Sequence, residues 1–126
     1  MAFQYCDDVV EIRVVTSPEK ILPVAETASR LNLTKFVEAI EGGAERHLSV
    51  SSGLQKVSNE FDLVAVHDGA RPLVTPTAIS LCASMAAGNG AASLAHRVAD
   101  TLKRGNEKAE VCGAVSRENL WAMETP

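Results

Sequence analysis

The sequence has few aromatic residues and no excess of positive charge. Phe, Trp and Tyr together make up 4% of its 126 residues, so the core must be built mainly from Val, Leu, Ile and Ala. Such a core suits helices packed on a parallel sheet better than an aromatic-rich β-barrel. The net charge of −4 repels polyanions at long range, and aromatic residues for stacking on single strands are scarce. We therefore predict no nucleic-acid partner, whereas a small phosphorylated ligand needs only a few local cations.

Paired cysteines, long apolar runs and a leader-like start are also lacking. Cys6, Cys82 and Cys112 lie far apart and form no C-x-x-C pair, which disfavours a disulfide framework and favours reduced thiols. No apolar run approaches the roughly 20 residues that cross a bilayer. The start of the chain has neither the basic region nor the apolar region of a secretory signal. We predict a cytoplasmic protein with no membrane segment.

What is present is an alternation of apolar strands and helices. The length fits one compact domain, residues 1–126. Residue type and spacing predict strands over 9–15, 35–40, 63–66 and 91–95, and helices over 17–31, from 45 onward and over 75–87. Ser17 and Thr75 are each followed by proline and are predicted N-caps. The buried face of the second helix is predicted to consist of Val50, Leu54 and Val57. The order β-α-β-α-β-α-β is typical of a parallel α/β sheet.

The last part of the chain differs in character from the rest. Residues 96–104 are polar and basic, and Gly105-Asn106 is a turn signal before a predicted returning strand over 110–115. This pattern favours a protruding hairpin, or arm, over about 96–117 rather than another strand–helix unit.

The most informative stretch is the apolar run 63–66 and the residues directly after it. Pro72 cannot continue a central strand, so the strand must end near Asp68, Gly69 and Arg71. Ligands of open α/β sheets bind beyond the carboxyl ends of the strands, where an Asp can hold a divalent cation and an Arg can meet phosphate. An ordinary strand-end turn, with Arg71 paired to Asp68, explains the same residues. Taken alone, they leave both interpretations open.

A second candidate is the glycine pair before the second helix. Gly42 and Gly43 allow close approach of the backbone, and the free N–H groups of the following helix favour an anion or a polar base edge. Arg46 and Ser49 are three residues apart and share a helix face. By themselves these residues are more typical of an ordinary strand-to-helix turn.

Two further groups lie in or near the predicted arm. In Asp100-Thr101-Leu102-Lys103-Arg104, a hydroxyl beside two cations suits a phosphomonoester, although a solvated basic turn has the same composition. In Ser116-Arg117-Glu118-Asn119-Leu120-Trp121, the single Trp is more typical of a packing anchor than of a ligand platform.

The four groups together are more specific than any one of them. The series G-G-x-x-R-x-x-S, H-D-x-A-R-P, D-T-L-K-R and R-x-x-L-W-x-x-x-T-P runs from Gly42 to Pro126. In order and spacing it resembles the 2-C-methyl-D-erythritol 4-phosphate cytidylyltransferases of isoprenoid biosynthesis. The resemblance implies a Rossmann-like, mostly parallel α/β fold with a β-arm that exchanges contacts across a homodimer. It also implies a transferase that joins CTP to a sugar-alcohol phosphate, releases pyrophosphate and uses Mg²⁺.

The resemblance assigns roles to particular positions. The nucleotide-binding residues would be Gly43, Arg46, Ser49 and Gly69, where Gly69 stands at a position that is usually Ala in the family. Asp68 would ligate Mg²⁺. The residues that would bind the polyol phosphate of the partner subunit are Thr101, Lys103 and Arg117, of which Thr101 and Arg117 are the catalytic candidates.

The chain also departs from the family pattern. The family opens with a strand and a glycine-rich loop whose Arg and Lys hold the triphosphate, and it continues to a second acidic metal ligand; the resemblance covers neither part. Smaller departures are Arg97, Ser116 and Glu124, which replace a usual Pro, Asp and Gln. We expect a truncated form with impaired activity. Because a doubly wound sheet without its central strand has open edges, we also expect an oligomer.

Two other functions fit the same residues. One is a cytidylyltransferase for another polyol phosphate, such as ribitol phosphate, because related families share H-D-x-x-R-P. The other is a non-catalytic nucleotide-binding or dimeric interaction module derived from the same scaffold.

Overall fold

The computed structural model describes residues 1–124, which form two compact units, residues 1–92 and residues 93–124. The helices are α1 (Ile21–Arg30), α2 (Arg46–Leu54) and α3 (Pro76–Asn89). The strands are β1 (Ile12–Thr16), β2 (Phe36–Glu41), β3 (Ala95–Arg97), β4 (Lys103–Gly105), β5 (Val111–Ala114) and β6 (Trp121–Met123). Two 3-10 turns, Phe3–Tyr5 and Pro18–Lys20, complete the first unit.

A parallel β1-α1-β2 unit organises the first part of the chain. β1 and β2 are parallel, with Val14 opposite Ala39 and Thr16 opposite Glu41. α1 packs on β2, and α2 packs on both strands. The ladder continues past the last strand residue, because the Gly42 N–H donates to the Thr16 carbonyl at 2.8 Å. The carboxyl ends of both strands therefore lie side by side at one edge.

Local signals predict the start and end of α3 correctly. Thr75 is the N-cap, and its Oγ1 accepts a hydrogen bond from the Ala78 N–H at 3.2 Å, while Pro76 occupies the first helical position. The helix ends where Gly90 adopts a left-handed conformation (φ 85°), which favours glycine. Both ends are set by residues that act within one turn of themselves.

The start of α1 differs from the prediction. A 3-10 turn, Pro18–Lys20, precedes the helix, and the Ser17 hydroxyl donates to the Glu19 carboxylate instead of accepting from a helix N–H. Pro23 lies in the first turn of α1, where its missing N–H costs no helical hydrogen bond. It is therefore accommodated without breaking the helix.

The predicted buried face of α2 is only partly correct. Val50 is half-buried, but Leu54 at the end of the helix is 46% exposed. Val57 lies beyond the helix, which ends at Leu54 because the chain turns there, with the Val57 N–H bonded to the Leu54 carbonyl.

The predicted strand over 63–66 is wrong. Residues 63–68 have no regular secondary structure, and no described strand pairs with them. A strand needs a hydrogen-bonded neighbour, and the apolar, β-branched composition of this run does not provide one. The run still leads into a turn at Gly69 and Ala70. Asp68 and Arg71 therefore lie at a turn directly after the run, as predicted.

The second unit contains two antiparallel pairs. β3 pairs with β6, and β4 pairs with β5. The predicted hairpin with its turn after Gly105 is confirmed, since the Asn106 side chain accepts from the Lys108 and Glu110 N–H groups and so closes the turn. The predicted strand over 91–95 is shifted, because β3 begins at Ala95, where the partner β6 becomes available.

The chain is thus a mixed α/β protein whose core is small. The buried apolar side chains among residues 1–124 are Cys6, Ala28, Ile40 and Ile79. Cys6 directly follows the first 3-10 turn, and the other three lie in α1, β2 and α3, all within the first unit. Within the described residues, no helix has both the length and the apolar character that crossing a membrane requires.

Candidate functional site

A cleft lies at the carboxyl ends of β1 and β2. Its volume is about 370 Å³, which is within the range of small-molecule sites. The residues that line it are Thr16, Ser17, Pro18, Gly42, Gly43, Ala44 and Ser49. The lining thus combines the end of β1 and the two residues after it with the glycine pair after β2 and the hydroxyl of Ser49 in α2.

The glycine pair allows α2 to pack closely against the end of β2. A Cβ added at Gly43 would lie 2.3 Å from Leu48 Cβ, and one added at Gly42 would lie 2.7 Å from Ser49 Oγ. Any larger residue would push the first turns of α2 away. Glycine is therefore favoured at both positions because α2 packs so closely against them. This close packing places Ser49 at the cleft.

Ser49 is held by backbone carbonyls on both sides of the helix start. Its Oγ lies 3.2 Å from the Glu45 carbonyl oxygen and 3.3 Å from the Gly43 carbonyl oxygen. A hydroxyl donates one hydrogen bond and keeps two lone pairs, so Ser49 can accept a further bond from a ligand in the cleft.

Arg46 joins the glycine-rich turn to the segment after 63–66. Its guanidinium Nη2 lies 2.7 Å from Asp68 Oδ1, across 22 residues of sequence. Arg71 Nε lies 3.6 Å from the other carboxylate oxygen. The Arg46 hydrogen bond, supported by the charges of both arginines, lowers the pKa of the Asp68 carboxyl. The carboxylate therefore stays ionised at neutral pH.

Both interpretations of the 67–72 segment describe part of the structure. Asp68 starts a turn in which its carbonyl accepts the Arg71 N–H at 2.9 Å, as expected for a strand-end turn. The closer partner of its carboxylate is nevertheless Arg46, at 2.7 Å against 3.6 Å for Arg71. The carboxylate is thus held between two cations, an arrangement that a simple turn does not need.

Asp68 fits the way in which proteins bind Mg²⁺. The described residues contain no cluster of three or more His, Cys, Asp or Glu side chains that could cage a metal. Mg²⁺ needs no such cage, because it is commonly bound by one or two carboxylates together with substrate phosphates and water. Asp68 is 30% exposed and can act as that carboxylate, and the guanidinium groups of Arg46 and Arg71 beside it are suited to phosphate oxygens.

Gly69 lies in open space beside Asp68. Apart from Gly69 itself and its two chain neighbours, no atom of the described residues comes within 4 Å of the point that a Cβ at Gly69 would occupy. An alanine fits there, so the glycine is not required for packing.

The predicted arm residues lie in the second unit. Lys103 is the first residue of β4, opposite Ala114, and both Thr101 and Lys103 are exposed. The Arg117 guanidinium donates a hydrogen bond to the Ala99 carbonyl, two residues before Thr101. The second unit therefore brings Arg117 close to the Thr101 segment. The last two residues of the fourth motif, Thr125 and Pro126, lie outside the described residues.

The structure shows lining residues that the motifs do not include. Thr16, Ser17 and Pro18 form one wall of the cleft, although the sequence interpretation used Ser17 and Pro18 only as helix-start signals. The available signal was their position directly after a predicted strand, where ligands of parallel sheets bind.

Taken together, a parallel β-α-β unit, a cleft beyond its strand ends, and a carboxylate between two arginines define a nucleotidyltransferase-like α/β protein. A family model described as "IspD: 2-C-methyl-D-erythritol 4-phosphate cytidylyltransferase" matches residues 1–126. The chain belongs to this family.

Relatives and solved structures agree with the family model. The 2-C-methyl-D-erythritol 4-phosphate cytidylyltransferase of Alkaliphilus metalliredigens is 39% identical over 115 residues, which is 91% of this chain and 48% of the relative. That of Desulforamulus reducens is 38% identical over 126 residues, 99% of this chain and 54% of the relative. The chain thus spans about half the length of the curated relatives it matches.

The fold is shared with solved synthases of the same kind. The crystal structure of 4-diphosphocytidyl-2C-methyl-D-erythritol synthase from Anaerococcus prevotii superposes with a TM-score of 0.85 at 21% identity, covering 99% of this chain and 54% of that one. A second synthase structure gives a TM-score of 0.80 at 30% identity, covering 99% of this chain and 60% of that one. The predicted fold class, a Rossmann-like α/β domain covering part of the family fold, is confirmed.

Proposed function

We propose that this chain forms the nucleotide- and metal-binding part of a CTP-dependent cytidylyltransferase acting on 2-C-methyl-D-erythritol 4-phosphate. The observation that carries the proposal is the Arg46–Asp68 ion pair of 2.7 Å. It joins the glycine-rich turn beside the cleft to the carboxylate assigned to Mg²⁺. Family membership supports the same activity, since the relatives named above are cytidylyltransferases. The cytoplasmic location stays a prediction from composition.

The cleft would take the cytosine and ribose of CTP. Gly43 exposes backbone groups to the cleft, and Ser49 offers a hydroxyl with free lone pairs. Arg46 leaves the first turn of α2 toward Asp68, on the side where a triphosphate attached to that ribose would extend. Gly69, next to Asp68, would leave room for the nucleotide.

The reaction brings two anions together. An oxygen of the acceptor phosphate bonds to the α-phosphorus of CTP, the bond from that phosphorus to the oxygen bridging to the β-phosphate breaks, and pyrophosphate leaves. Arg46 and Arg71 would hold phosphate oxygens and stabilise the developing charge. Asp68 would hold Mg²⁺, which when bound supplies further charge neutralisation and orients the phosphates.

The acceptor would be bound by the arm. Thr101, Lys103 and Arg117 provide a hydroxyl and two cations, which suit a phosphomonoester. We propose that these residues act on the site of a partner subunit in a homodimer, with Thr101 and Arg117 touching the acceptor phosphate. A different polyol phosphate would need the same cations, so the acceptor must be tested directly.

The first test is a calorimetric titration of the chain with CTP, with and without Mg²⁺. We expect CTP to bind more tightly than UTP, Mg²⁺ to strengthen binding, and Asp68→Ala to remove the Mg²⁺ effect. Asp62→Ala is the matched control, because it removes an exposed carboxylate that lies outside the site. Equal binding of CTP and UTP, or a Mg²⁺ effect that survives in Asp68→Ala, would contradict the proposal.

A turnover assay then separates the candidate reactions. Pyrophosphate release from CTP is measured with methylerythritol phosphate and, separately, with ribitol phosphate as acceptor. Release with methylerythritol phosphate alone supports the proposed acceptor. CTP binding without release in either case favours the non-catalytic nucleotide-binding module.

A further inference from the structure

We propose that His67 is a positioning residue, braced by Phe3, that fixes the turn presenting the Asp68 carboxylate. The inference rests on the proposed function for the role of Asp68 and concerns side chains to which that function assigns no task. His67 precedes Asp68 in the chain and is half-buried. Two contacts hold its ring, a hydrogen bond to the Arg71 carbonyl and an aromatic contact with Phe3.

The first contact closes the turn. His67 Nε2 lies 2.9 Å from the Arg71 carbonyl oxygen, and because a carbonyl only accepts, Nε2 must carry the proton. The Arg71 N–H is itself bonded to the Asp68 carbonyl at 2.9 Å. Both backbone groups of Arg71 are therefore occupied, one by Asp68 and one by His67. Between these bonds lie Gly69 and Ala70, which are exposed and have no comparable anchor of their own.

The second contact orients the imidazole. The Phe3 ring lies 4.9 Å from the His67 ring, centroid to centroid, and is inclined to it by 56°. Tilted aromatic pairs at this separation are attractive beyond the area they bury. Contact with the Phe3 ring therefore restrains the imidazole from rotating away from the Arg71 carbonyl.

Phe3 can act as a brace because its own segment is fixed at several points. The Gln4 side chain donates to Thr34 Oγ1 at 2.8 Å and accepts from the Lys35 N–H at 3.1 Å. The Lys35 ammonium donates to the Cys6 carbonyl at 2.6 Å, and Cys6 is 1% exposed. The N-terminal 3-10 turn is thus tied to the loop between α1 and β2.

The consequence concerns the direction of the carboxylate. Asp68 must face Arg46 in the free protein and a metal–phosphate group in the loaded one, so its backbone has to stay in place while its side-chain partners change. Residues that orient a metal ligand commonly influence affinity strongly without touching the metal. His67 and Phe3 supply that constraint from the N-terminal segment.

The experiment compares His67→Leu with His67→Gln. Leucine keeps apolar volume but has no donor, whereas the Gln amide nitrogen is as many bonds from the backbone as His Nε2 and can restore the hydrogen bond. In the ligand-free chain, the backbone order of Gly69 and Ala70 is measured by the {¹H}–¹⁵N nuclear Overhauser effect. We expect a fall in His67→Leu and recovery in His67→Gln. His96→Leu, in the other unit, is the control and should leave these values unchanged.

The second measurement is Mn²⁺ binding in the presence of CTP, followed by electron paramagnetic resonance. His67→Leu should weaken Mn²⁺ binding by between about two- and tenfold, the range set by one hydrogen bond, with recovery in His67→Gln. Phe3→Leu should also weaken Mn²⁺ binding, and this variant tests the same inference if His67→Leu does not fold. Failure of the unmodified chain to bind Mn²⁺ with CTP would contradict the proposed function, while the backbone-order measurement would still judge the role of His67. Backbone order or Mn²⁺ binding in His67→Leu equal to that of the unmodified chain would overturn the inference.

Discussion

Replacing Gly43 by alanine tests whether the glycine pair serves close packing of α2 against β2. The added Cβ would lie 2.3 Å from Leu48 Cβ, with the Leu48 backbone carbonyl carbon at 3.3 Å. Carbon atoms in contact are normally about 3.5–4.0 Å apart, so the two segments must separate by more than about 1 Å. No side-chain rotation relieves the clash, because a Cβ atom is fixed by its own backbone.

The magnitude follows from the cost of forced backbone shifts. Overpacking of this kind costs about 1–3 kcal/mol, and about 4 °C is lost from the melting temperature per kcal/mol for a domain of this size. Gly43→Ala should therefore lower the melting temperature by about 4–12 °C. It should also weaken CTP binding, because the shift changes the cleft that Gly43 and Ser49 line together.

Gly69→Ala is the matched control, since it makes the same chemical change in open space. No described atom outside residues 68–70 lies within 4 Å of the added methyl group. Replacing glycine by alanine at a compatible position stabilises the folded protein by about 0.4–1 kcal/mol, because it lowers the conformational entropy of the unfolded chain. The melting temperatures of the two variants should thus change in opposite directions. Equal melting temperatures for Gly43→Ala and the unmodified chain, or a larger loss in Gly69→Ala, would refute the packing argument.

Three further predictions follow from contacts described above. Arg46→Met should raise the pKa of the Asp68 carboxyl toward its ordinary value, because the guanidinium hydrogen bond that lowers it is lost. The ion pair stabilises the fold above the ordinary carboxyl pKa, and that stability disappears as the pH falls through the lowered value. Carbon NMR titration of Asp68 measures its pKa, thermal unfolding at several pH values measures the stability, and an unchanged titration curve would contradict this account. Thr75→Ala removes the acceptor for the Ala78 N–H and should cost about 1 kcal/mol in thermal unfolding, whereas Thr77→Ala, exposed on the same helix, should cost less. Analytical ultracentrifugation should show self-association, and a single monomeric species at all concentrations would count against the arm-mediated dimer.

The elements that the sequence predicts well are those whose signals are local. α3 begins at Thr75-Pro76 and ends at Gly90, and each of these residues acts within one turn of itself. The hairpin over β4 and β5 follows from its turn residues in the same way. The strand predicted over 63–66 does not form, because a strand needs a pairing partner elsewhere in the chain and the composition of this run cannot reveal whether one exists.

The same distinction applies to the site. The motifs identify Gly43, Ser49 and Asp68 one by one, and the structure places each at or near the strand ends. The pairing of Arg46 with Asp68 was not predicted, because it depends on how two segments 22 residues apart come together. Arg71, three residues from Asp68, was the partner that local spacing favoured.

The hairpin of β4 and β5 has a thermodynamic consequence for its ligand. Every residue of both strands is exposed, and a two-stranded hairpin with no buried face is at best marginally stable in water. Local opening of such a segment requires little free energy. A phosphate ligand that engages Thr101 and Lys103 must therefore also hold the hairpin in its closed form. Part of the interaction free energy would go into ordering the hairpin, so the apparent affinity for such a ligand would understate the strength of the contacts themselves.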